Sequence, residues 1–296
     1  EPRNEEHGGA IMKTILLPLE DSPVLPSILQ TTLHAARVFG SYMEGLHVRP
    51  GLTGVVAAGA EGLVAATPGL IESFEREDQA RAQRVRAAFD EFMRQNNVPR
   101  SPSIAPQPGP TSGWYEETIQ GESTIGSRGR VFDLIAVGRP TRGGSSSAMS
   151  TLEAALFESG RPLLIAPPNA PQKLGERVCV AWNGSTETAR TMAFAMPFLV
   201  RSKDVQVLLI EGGGVPGPTP QDVANYLLRN GVPAAAKVAK AMKRSVGEAV
   251  LAEAADWGAD LLIKGAYTQS RLRQMIFGGT TSHILAESTV PVFMAH

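Results

Sequence analysis

An internal repeat constrains this sequence more than any other feature. Each half holds an apolar run ending in polar turn residues, then an apolar run that starts after Asp and ends in Gly, then a short apolar run containing Pro. The matched segments are residues 15–22 and 178–185, residues 133–141 and 260–268, and residues 161–166 and 290–295. Three matched pairs in the same order indicate a duplicated structural unit. We therefore predict two domains, at 12–168 and 174–296, joined by a linker at about 167–175.

Apolar runs typical of strands alternate with helix signals in both copies. Thr219 before Pro220, and Ser245 three residues before Glu248, are typical helix starts. In the second copy we predict strands at 178–181, 205–210, 233–239, 260–264 and 290–295, with helices at 187–200, from 220, at 245–257 and at 282–287. This alternation predicts an α/β protein whose parallel sheet is covered on both faces.

The first copy carries an insertion at about 49–102, between predicted strands at 42–48 and 103–107. The later part of the insertion has apolar residues at helical spacing and charged residues elsewhere, which predicts a surface helix. The apolar positions are Ile71, Phe74, Ala82, Val85, Phe89 and Phe92. Residues 51–71 hold one charge and reach the length of a membrane span, but their five glycines and one proline oppose a span. We expect a loop or helix of small residues there, and no membrane span.

The composition argues against several classes of function. The chain has 28 basic and 29 acidic residues, a net charge of -1, so we expect no nucleic-acid partner. One cysteine, Cys179, excludes an intramolecular disulfide framework and a zinc site built from cysteines. The five histidines are scattered, so we predict no metal site. This cysteine usage fits a reducing compartment, and we expect a cytoplasmic protein.

Two groups of small residues near the end of the chain are the strongest local signal for ligand binding. The first ends a predicted strand, and the second begins ten residues after it and leads into a short helix. They comprise Gly265, Thr268, Gly278, Gly279, Thr280 and Thr281. Ligands of open α/β sheets lie at the carboxyl ends of strands, and exposed N–H groups at a helix N-terminus suit a phosphate. The alternative is that the glycines only form a turn and a hydroxyl caps the helix.

These segments together resemble the universal stress protein family in its tandem, two-domain form. The resemblance covers nearly the whole chain. It rests on the strand endings Pro-Leu-Glu-Asp-Ser and Ala-Trp-Asn-Gly-Ser, on the two strands that run from Asp to Gly, and on the glycine-containing loop. It implies two doubly wound, five-stranded parallel-sheet domains with an adenine nucleotide alpha hydrolase-like fold. It also implies a pseudo-twofold pair formed through the last strands, at 163–166 and 292–295.

The resemblance further implies ATP binding through a loop of pattern Gly-x2-Gly-x9-Gly-Ser/Thr. The second copy keeps Gly265 and Gly278 in register, whereas Thr268 and Gly279 depart from the pattern. The first copy keeps Gly138 and has largely lost the rest. We therefore expect ATP, ADP or AMP, with or without Mg²⁺, in the second domain only.

Two further residues would complete that site. Asn183 stands where ATP-binding members of the family carry an Asp near the ribose, and Ile210 ends the strand that would frame the base. Asn-Gly-Ser is also ordinary turn chemistry, so a purely structural role of Asn183 stays open.

The expected function is a stress-response or signalling module that binds an adenine nucleotide. No nucleophile with a paired base stands out, so we predict no catalytic residues and at most slow ATP hydrolysis. We expect a homodimer and a protein partner of unknown identity. The alternative is an interaction scaffold of the same fold without nucleotide, favoured by Thr141 and Thr268 where the pattern has Gly. An enzyme of the wider nucleotide-binding α/β group is a weaker alternative, because a Ser-Gly-Gly-x-Asp loop is absent after the first strand of each copy.

Overall fold

The computed structural model describes residues 12–49, 68–101, 104–105, 107–117, 123–140, 146–266 and 279–296. Within these residues, ten strands and eight helices alternate. The strands are β1 (Thr14–Pro18), β2 (Tyr42–Val48), β3 (Thr111–Glu117), β4 (Leu134–Gly138), β5 (Leu163–Ala166), β6 (Arg177–Ala181), β7 (Asp204–Ile210), β8 (Ala234–Ala239), β9 (Leu261–Gly265) and β10 (Val292–Ala295). The helices are α1 (Leu25–Phe39), α2 (Pro68–Gln95), α3 (Ser123–Gly129), α4 (Ser146–Glu158), α5 (Thr186–Leu199), α6 (Pro220–Arg229), α7 (Val246–Trp257) and α8 (Thr280–Glu287).

The ten strands form one sheet in the order β3-β2-β1-β4-β5-β10-β9-β6-β7-β8. Each half therefore has the same internal order, and the two halves are related as a pseudo-twofold pair. Neighbouring strands of the described chain are parallel except at the centre, where β5 and β10 are antiparallel with Leu164 opposite Phe293. The predicted fold class and the predicted pairing of the last strands are both confirmed. The two five-stranded sheets join into a single sheet.

Two apolar layers cover the sheet, one on each face, as doubly wound folds require. One layer includes residues of α1, α2, α5 and α6, among them Phe39, Phe89 and Phe198. The other includes residues of α3, α4, α7 and α8, among them Leu152 and Ile284. The central strands are buried on both sides, which explains why they appear in the sequence as continuous apolar runs.

Local signals start the helices of the second half where the sequence places them. The Thr219 hydroxyl accepts a hydrogen bond from the Asp222 N–H, and the Asp222 side chain accepts from the Thr219 N–H, which closes a capping box at α6. Ser245 and Glu248 form the same arrangement at α7. Both predicted helix starts are confirmed.

The predicted third strand of the first copy, at 103–107, is wrong. The strand is β3, which pairs with β2 over its whole length. The segment before it holds four prolines, which cannot donate to a strand ladder, and residues 104, 105 and 107 lie outside any strand. The prolines are Pro102, Pro106, Pro108 and Pro110.

The predicted surface helix in the insertion is confirmed as α2. Its buried face holds Ala82, Val85 and Phe89, and it also holds Asp78, whose carboxylate accepts a hydrogen bond from Arg49 Nε at 2.8 Å. The preceding residues, 51–67, lie outside the described residues, so the predicted small-residue loop there stays a prediction. Among the helices that the structure describes, none combines the length and apolar character that crossing a bilayer needs.

A cluster of three aromatic rings couples the two halves. Phe198 of α5 lies edge-to-face against Phe39 of α1, with ring centroids 4.9 Å apart, and against Phe293 of β10 at 5.8 Å. The segment that links the halves is also held to α1, because the Ser27 hydroxyl donates to the Pro167 carbonyl at 2.6 Å. The halves therefore share apolar contacts in addition to the β5–β10 ladder.

Close packing of α5 on β9 depends on a glycine. A Cβ atom at Gly265 would lie 2.5 Å from the backbone nitrogen of Thr188 and 2.7 Å from its hydroxyl oxygen. Both distances are shorter than any normal carbon contact. The missing side chain of Gly265 is therefore what lets the first turn of α5 approach the end of β9.

We expect Phe198→Ala to lower the free energy of unfolding by about 3–5 kcal/mol, because it leaves a cavity between the halves. The matched control is Phe157→Ala, since the Phe157 side chain is 40% exposed. Urea denaturation followed by circular dichroism measures both. Equal losses in the two variants would contradict a packed junction at Phe198.

We expect Gly265→Ala to lower the free energy of unfolding by about 1–3 kcal/mol, because the added methyl group overpacks the contact with Thr188. Gly69→Ala is the control: Gly69 is an exposed residue of α2, and a Cβ there meets no atom within 4 Å. Alanine at that helix position should raise stability by about 0.5–1 kcal/mol. Thermal melts of the two variants should therefore shift in opposite directions, and a stabilised Gly265→Ala protein would refute the packing argument.

Candidate functional site

Each half of the sheet contains a point where the strand order reverses. In the first half it lies between β1 and β4, and in the second half between β6 and β9. Ligands of open α/β sheets lie in the crevice at the carboxyl ends of the strands at such a point. In the second half these ends are followed by Asn183 and formed by Gly265, so the structure brings these two predicted site residues to neighbouring strand ends.

Asn183 builds the turn between β6 and α5. Its side-chain oxygen accepts hydrogen bonds from the Ser185 N–H at 3.2 Å and from the Thr188 hydroxyl at 2.5 Å. Its backbone carbonyl accepts from the Val215 N–H at 2.8 Å. The structural role of Asn183 is therefore observed. Within the described residues its side-chain nitrogen donates no hydrogen bond, so a contact with a ribose stays a prediction.

The segment that follows β7 packs over this turn. A Cβ at Gly184 would lie 2.5 Å from the Val215 carbonyl oxygen, and a Cβ at Gly217 would lie 2.6 Å from the Gly184 carbonyl oxygen. The Trp182 indole donates to the Pro218 carbonyl at 2.8 Å. The glycines around residue 215 thus serve a close crossing of two backbones.

Ile210 is the last residue of β7 and precedes the segment that packs over the Asn183 turn. Its side chain is 2% exposed and belongs to the apolar layer that contains α7. Its carbonyl accepts a hydrogen bond from the Gly213 N–H at 2.9 Å. Ile210 therefore contributes to the core in this conformation, and its predicted contact with a base stays a prediction.

The N-terminus of α8 is the part of the predicted site best suited to an anion. Gly279 is the N-cap residue, with φ 94° and ψ -177°, a conformation that favours glycine. As a glycine, the N-cap residue supplies no capping side chain to the first turn, which leaves the turn accessible to an anion from that side. Thr280 is partly exposed and Thr281 is buried in that turn. Thr268 and Gly278, the other two predicted residues, lie outside the described residues.

Lys264 is a residue at this edge that sequence reasoning missed. It is the penultimate residue of β9 and only 7% exposed, and its Nζ donates to the Gly265 carbonyl at 2.9 Å. Burial lowers the pKa of this ammonium group from 10.5 to about 8, and the nearby negative charge of Glu187 partly opposes the shift. The signal in the sequence was a lysine in a run where the first copy has Val137.

The first half has a cavity of about 260 Å³ at its own reversal point. Its polar lining comprises Glu20, Asp21, Ser22, Arg139 and Thr151. Asp21 is paired with Arg84 of α2 at 2.9 Å, and Arg139 Nη1 donates to the Ser288 carbonyl at 3.0 Å. Ligand pockets for small molecules commonly enclose about 300–1,000 Å³. This cavity is therefore smaller than most ligand pockets, and whether the first half binds a nucleotide stays a prediction.

Catalytic groups are not evident among the described residues. Cys179 is fully buried in β6, and burial raises the pKa of its thiol to about 12, which keeps it protonated. In the described part of the chain, no cluster of three or more His, Cys, Asp or Glu side chains could hold a metal ion. A bound Mg²⁺ would thus depend on ligands from the nucleotide itself or from residues outside the described ranges.

Comparison with known proteins gives a family match for part of the chain and structural similarity over nearly all of it. Residues 221–296 match the model of the Universal stress protein family. A universal stress protein from Archaeoglobus fulgidus DSM 4304 has a similar structure, with a TM-score of 0.70, 18% sequence identity and 96% coverage of each chain. A functionally unknown protein from Pseudomonas aeruginosa PAO1 matches with a TM-score of 0.51 and 12% identity, over 97% of this chain and 92% of its own. A search of curated proteins gave no match to this sequence.

The family match falls on the segment that runs from α6 to the end of the chain and contains β9, α8 and β10. The structural likeness extends over both halves and, at this low identity, establishes the fold. Residues 221–296 therefore match the Universal stress protein family in sequence, and the chain as a whole has a fold similar to that of the Archaeoglobus fulgidus universal stress protein.

Proposed function

We propose that this protein is a stress-response or signalling module that binds one adenine nucleotide, with ATP the expected ligand, at the carboxyl ends of β6 and β9. The bound nucleotide would act as a regulatory ligand, and the protein would hydrolyse it slowly. This proposal extends the family match at residues 221–296 to a specific ligand.

The observation that carries the proposal is the position of the α8 N-terminus. Because β9 and β10 are parallel neighbours, the helix between them runs back along the sheet, so α8 starts at the carboxyl edge of β9. Its N-cap residue is Gly279, which has no side chain to cap the first turn. A helix N-terminus at a strand reversal point is a favourable place for a phosphate, because its N–H groups and partial positive charge face the ligand.

A second candidate is an interaction scaffold of the same fold without nucleotide. The hydrogen bonds of the Asn183 side-chain oxygen favour it, because that oxygen is already used within the turn. The contact of Gly265 with Thr188 favours it too, because the space left by the missing side chain is filled by protein.

Identification of bound nucleotide separates the two candidates. We expect heat denaturation of the purified full chain to release ATP, ADP or AMP at up to about one molecule per chain, since one reversal point carries the predicted loop. Stripped protein should bind added ATP in isothermal titration calorimetry. A protein that releases no nucleotide and binds no added ATP would favour the scaffold.

A matched pair of glycine variants should locate the site. Gly279 and Gly231 both have positive φ, and a Cβ at either position meets no atom within 4 Å, so Gly→Val is unfavourable for the backbone at each position without a steric clash. Gly231 lies just before β8, at the amino ends of the strands of the second half and so on the opposite side of the sheet from the proposed site. We expect Gly279→Val to abolish ATP binding and Gly231→Val to preserve it. Equal effects of the two variants on ATP affinity would argue against the α8 N-terminus as the phosphate site.

A further inference from the structure

Lys264 is a buried cation without an adequate partner. A lysine is rarely buried unless it is paired, because the ammonium group loses its hydration. The Lys264 ammonium has three N–H donors, and within the described residues it uses one of them, to the Gly265 carbonyl. Glu187 acts on it through its charge without forming a salt bridge. Two N–H groups of this buried ammonium therefore have no acceptor in the part of the chain that the structure describes.

The surroundings of Lys264 add further positive potential. Gly265, its hydrogen-bond partner, lies under the first turn of α5, as the 2.5 Å distance from its missing Cβ to the Thr188 nitrogen shows. The N-termini of α5 and α8 both lie at the carboxyl edge of β9, and each helix N-terminus carries a partial positive charge. An anion at this strand end would interact favourably both with the buried ammonium group and with the two helix N-termini.

The first half shows that the fold does not need this charge. Val137 occupies the equivalent position in β4, next to Gly138, and is buried. An apolar side chain therefore satisfies the packing of a strand at this place in the sheet. The packing of this strand therefore does not explain why the second half has a lysine at position 264.

We propose that Lys264 binds a phosphate group of the ligand and makes the second half selective for a polyphosphate over an uncharged nucleoside. This inference rests on the proposed function, since it assigns a residue to the phosphate end of the same site. The ammonium group would donate its two remaining N–H groups to phosphate oxygens at the edge where α8 begins.

The test compares three probes on the full chain: ATP, adenosine and inorganic tripolyphosphate, by isothermal titration calorimetry at pH 7. We expect Lys264→Met to weaken binding of ATP and of tripolyphosphate by about tenfold or more and to leave adenosine binding unchanged. Lys203→Met is the matched control, because Lys203 is an exposed lysine at the amino end of β7. It should leave all three affinities unchanged.

Proton uptake provides a readout that a merely structural role would not move. In the unliganded protein the Lys264 ammonium group has a pKa of about 8, and a bound phosphate would raise this pKa. ATP binding at pH 8.5 should therefore take up a proton in the wild type and none in Lys264→Met, as measured in buffers of different ionisation enthalpy. Among the described residues, the charged neighbour that acts on the Lys264 ammonium group is Glu187 of α5. The residue paired with Lys264 in the neighbouring strand β10 is Met294, which is apolar.

Stability of the unliganded protein checks that the variant is folded. Because the folded state lowers the pKa of Lys264 below its unfolded value, wild-type stability should rise as pH increases from about 8 towards 10.5. Lys264→Met should lack this rise and should melt no lower than the wild type at pH 7, since it removes a buried charge.

The outcomes separate the two proposals. Equal affinity of the wild type and Lys264→Met for ATP and tripolyphosphate would overturn the role of Lys264, as would an equal loss of adenosine binding. Failure of the wild type to bind ATP and adenosine, with tripolyphosphate still bound through Lys264, would overturn the nucleotide proposal and support the anion site. Failure to bind any of the three would overturn both.

Discussion

The antiparallel pairing of β5 with β10 is the contact on which the rest of the molecule depends. It joins two parallel five-stranded halves into one sheet and protects an edge that each half would otherwise expose. Because β5 and β10 run in opposite directions, the strands of the two halves also run in opposite directions. The carboxyl ends of the strands in one half therefore lie on the opposite side of the sheet from those in the other half. The two crevices therefore cannot share one ligand, and each half must build its own.

Both halves solve the same packing problem with the same residue at these edges. Gly138 and Gly265 end equivalent strands, and at each of them a Cβ would clash with the segment that begins the first helix of that half: Val24 and Ile28 in one case, Thr188 in the other. The retained glycine is thus explained by the fold. The difference between the halves lies one residue earlier, where a buried valine in one strand corresponds to a buried lysine in the other. The two halves thus share the same backbone arrangement at this strand end, and they differ in that the second half has the charged Lys264 where the first half has Val137.

Local patterns predicted the parts of the structure that depend on local physics. The capping boxes at α6 and α7 were predictable because a Ser or Thr three residues before an acidic residue satisfies backbone donors within one turn. The third strand of the first copy was misplaced at 103–107, whereas the strand that pairs with β2 is Thr111–Glu117, and that pairing is a contact between segments far apart in the chain. For the candidate site, the sequence placed Asn183 and Gly265 at neighbouring strand ends and left open the turn role of Asn183 that the structure shows. The sequence did not predict the burial of Lys264.

By itself the sequence determined the duplication, the alternation of strands and helices, and the glycine-bearing strand end that marks the candidate site, because these follow from periodicity and local conformational preference. Only the tertiary structure decided the register of the ladder that joins the two sheets, with Leu164 opposite Phe293, the filling of the space beside Gly265 by Thr188, and the burial of Lys264 with one acceptor among the described residues. The physical reason is that burial and hydrogen-bond partners arise from segments far apart in the chain, and a lysine in an apolar run shows its missing partners only when the strands around it are in place.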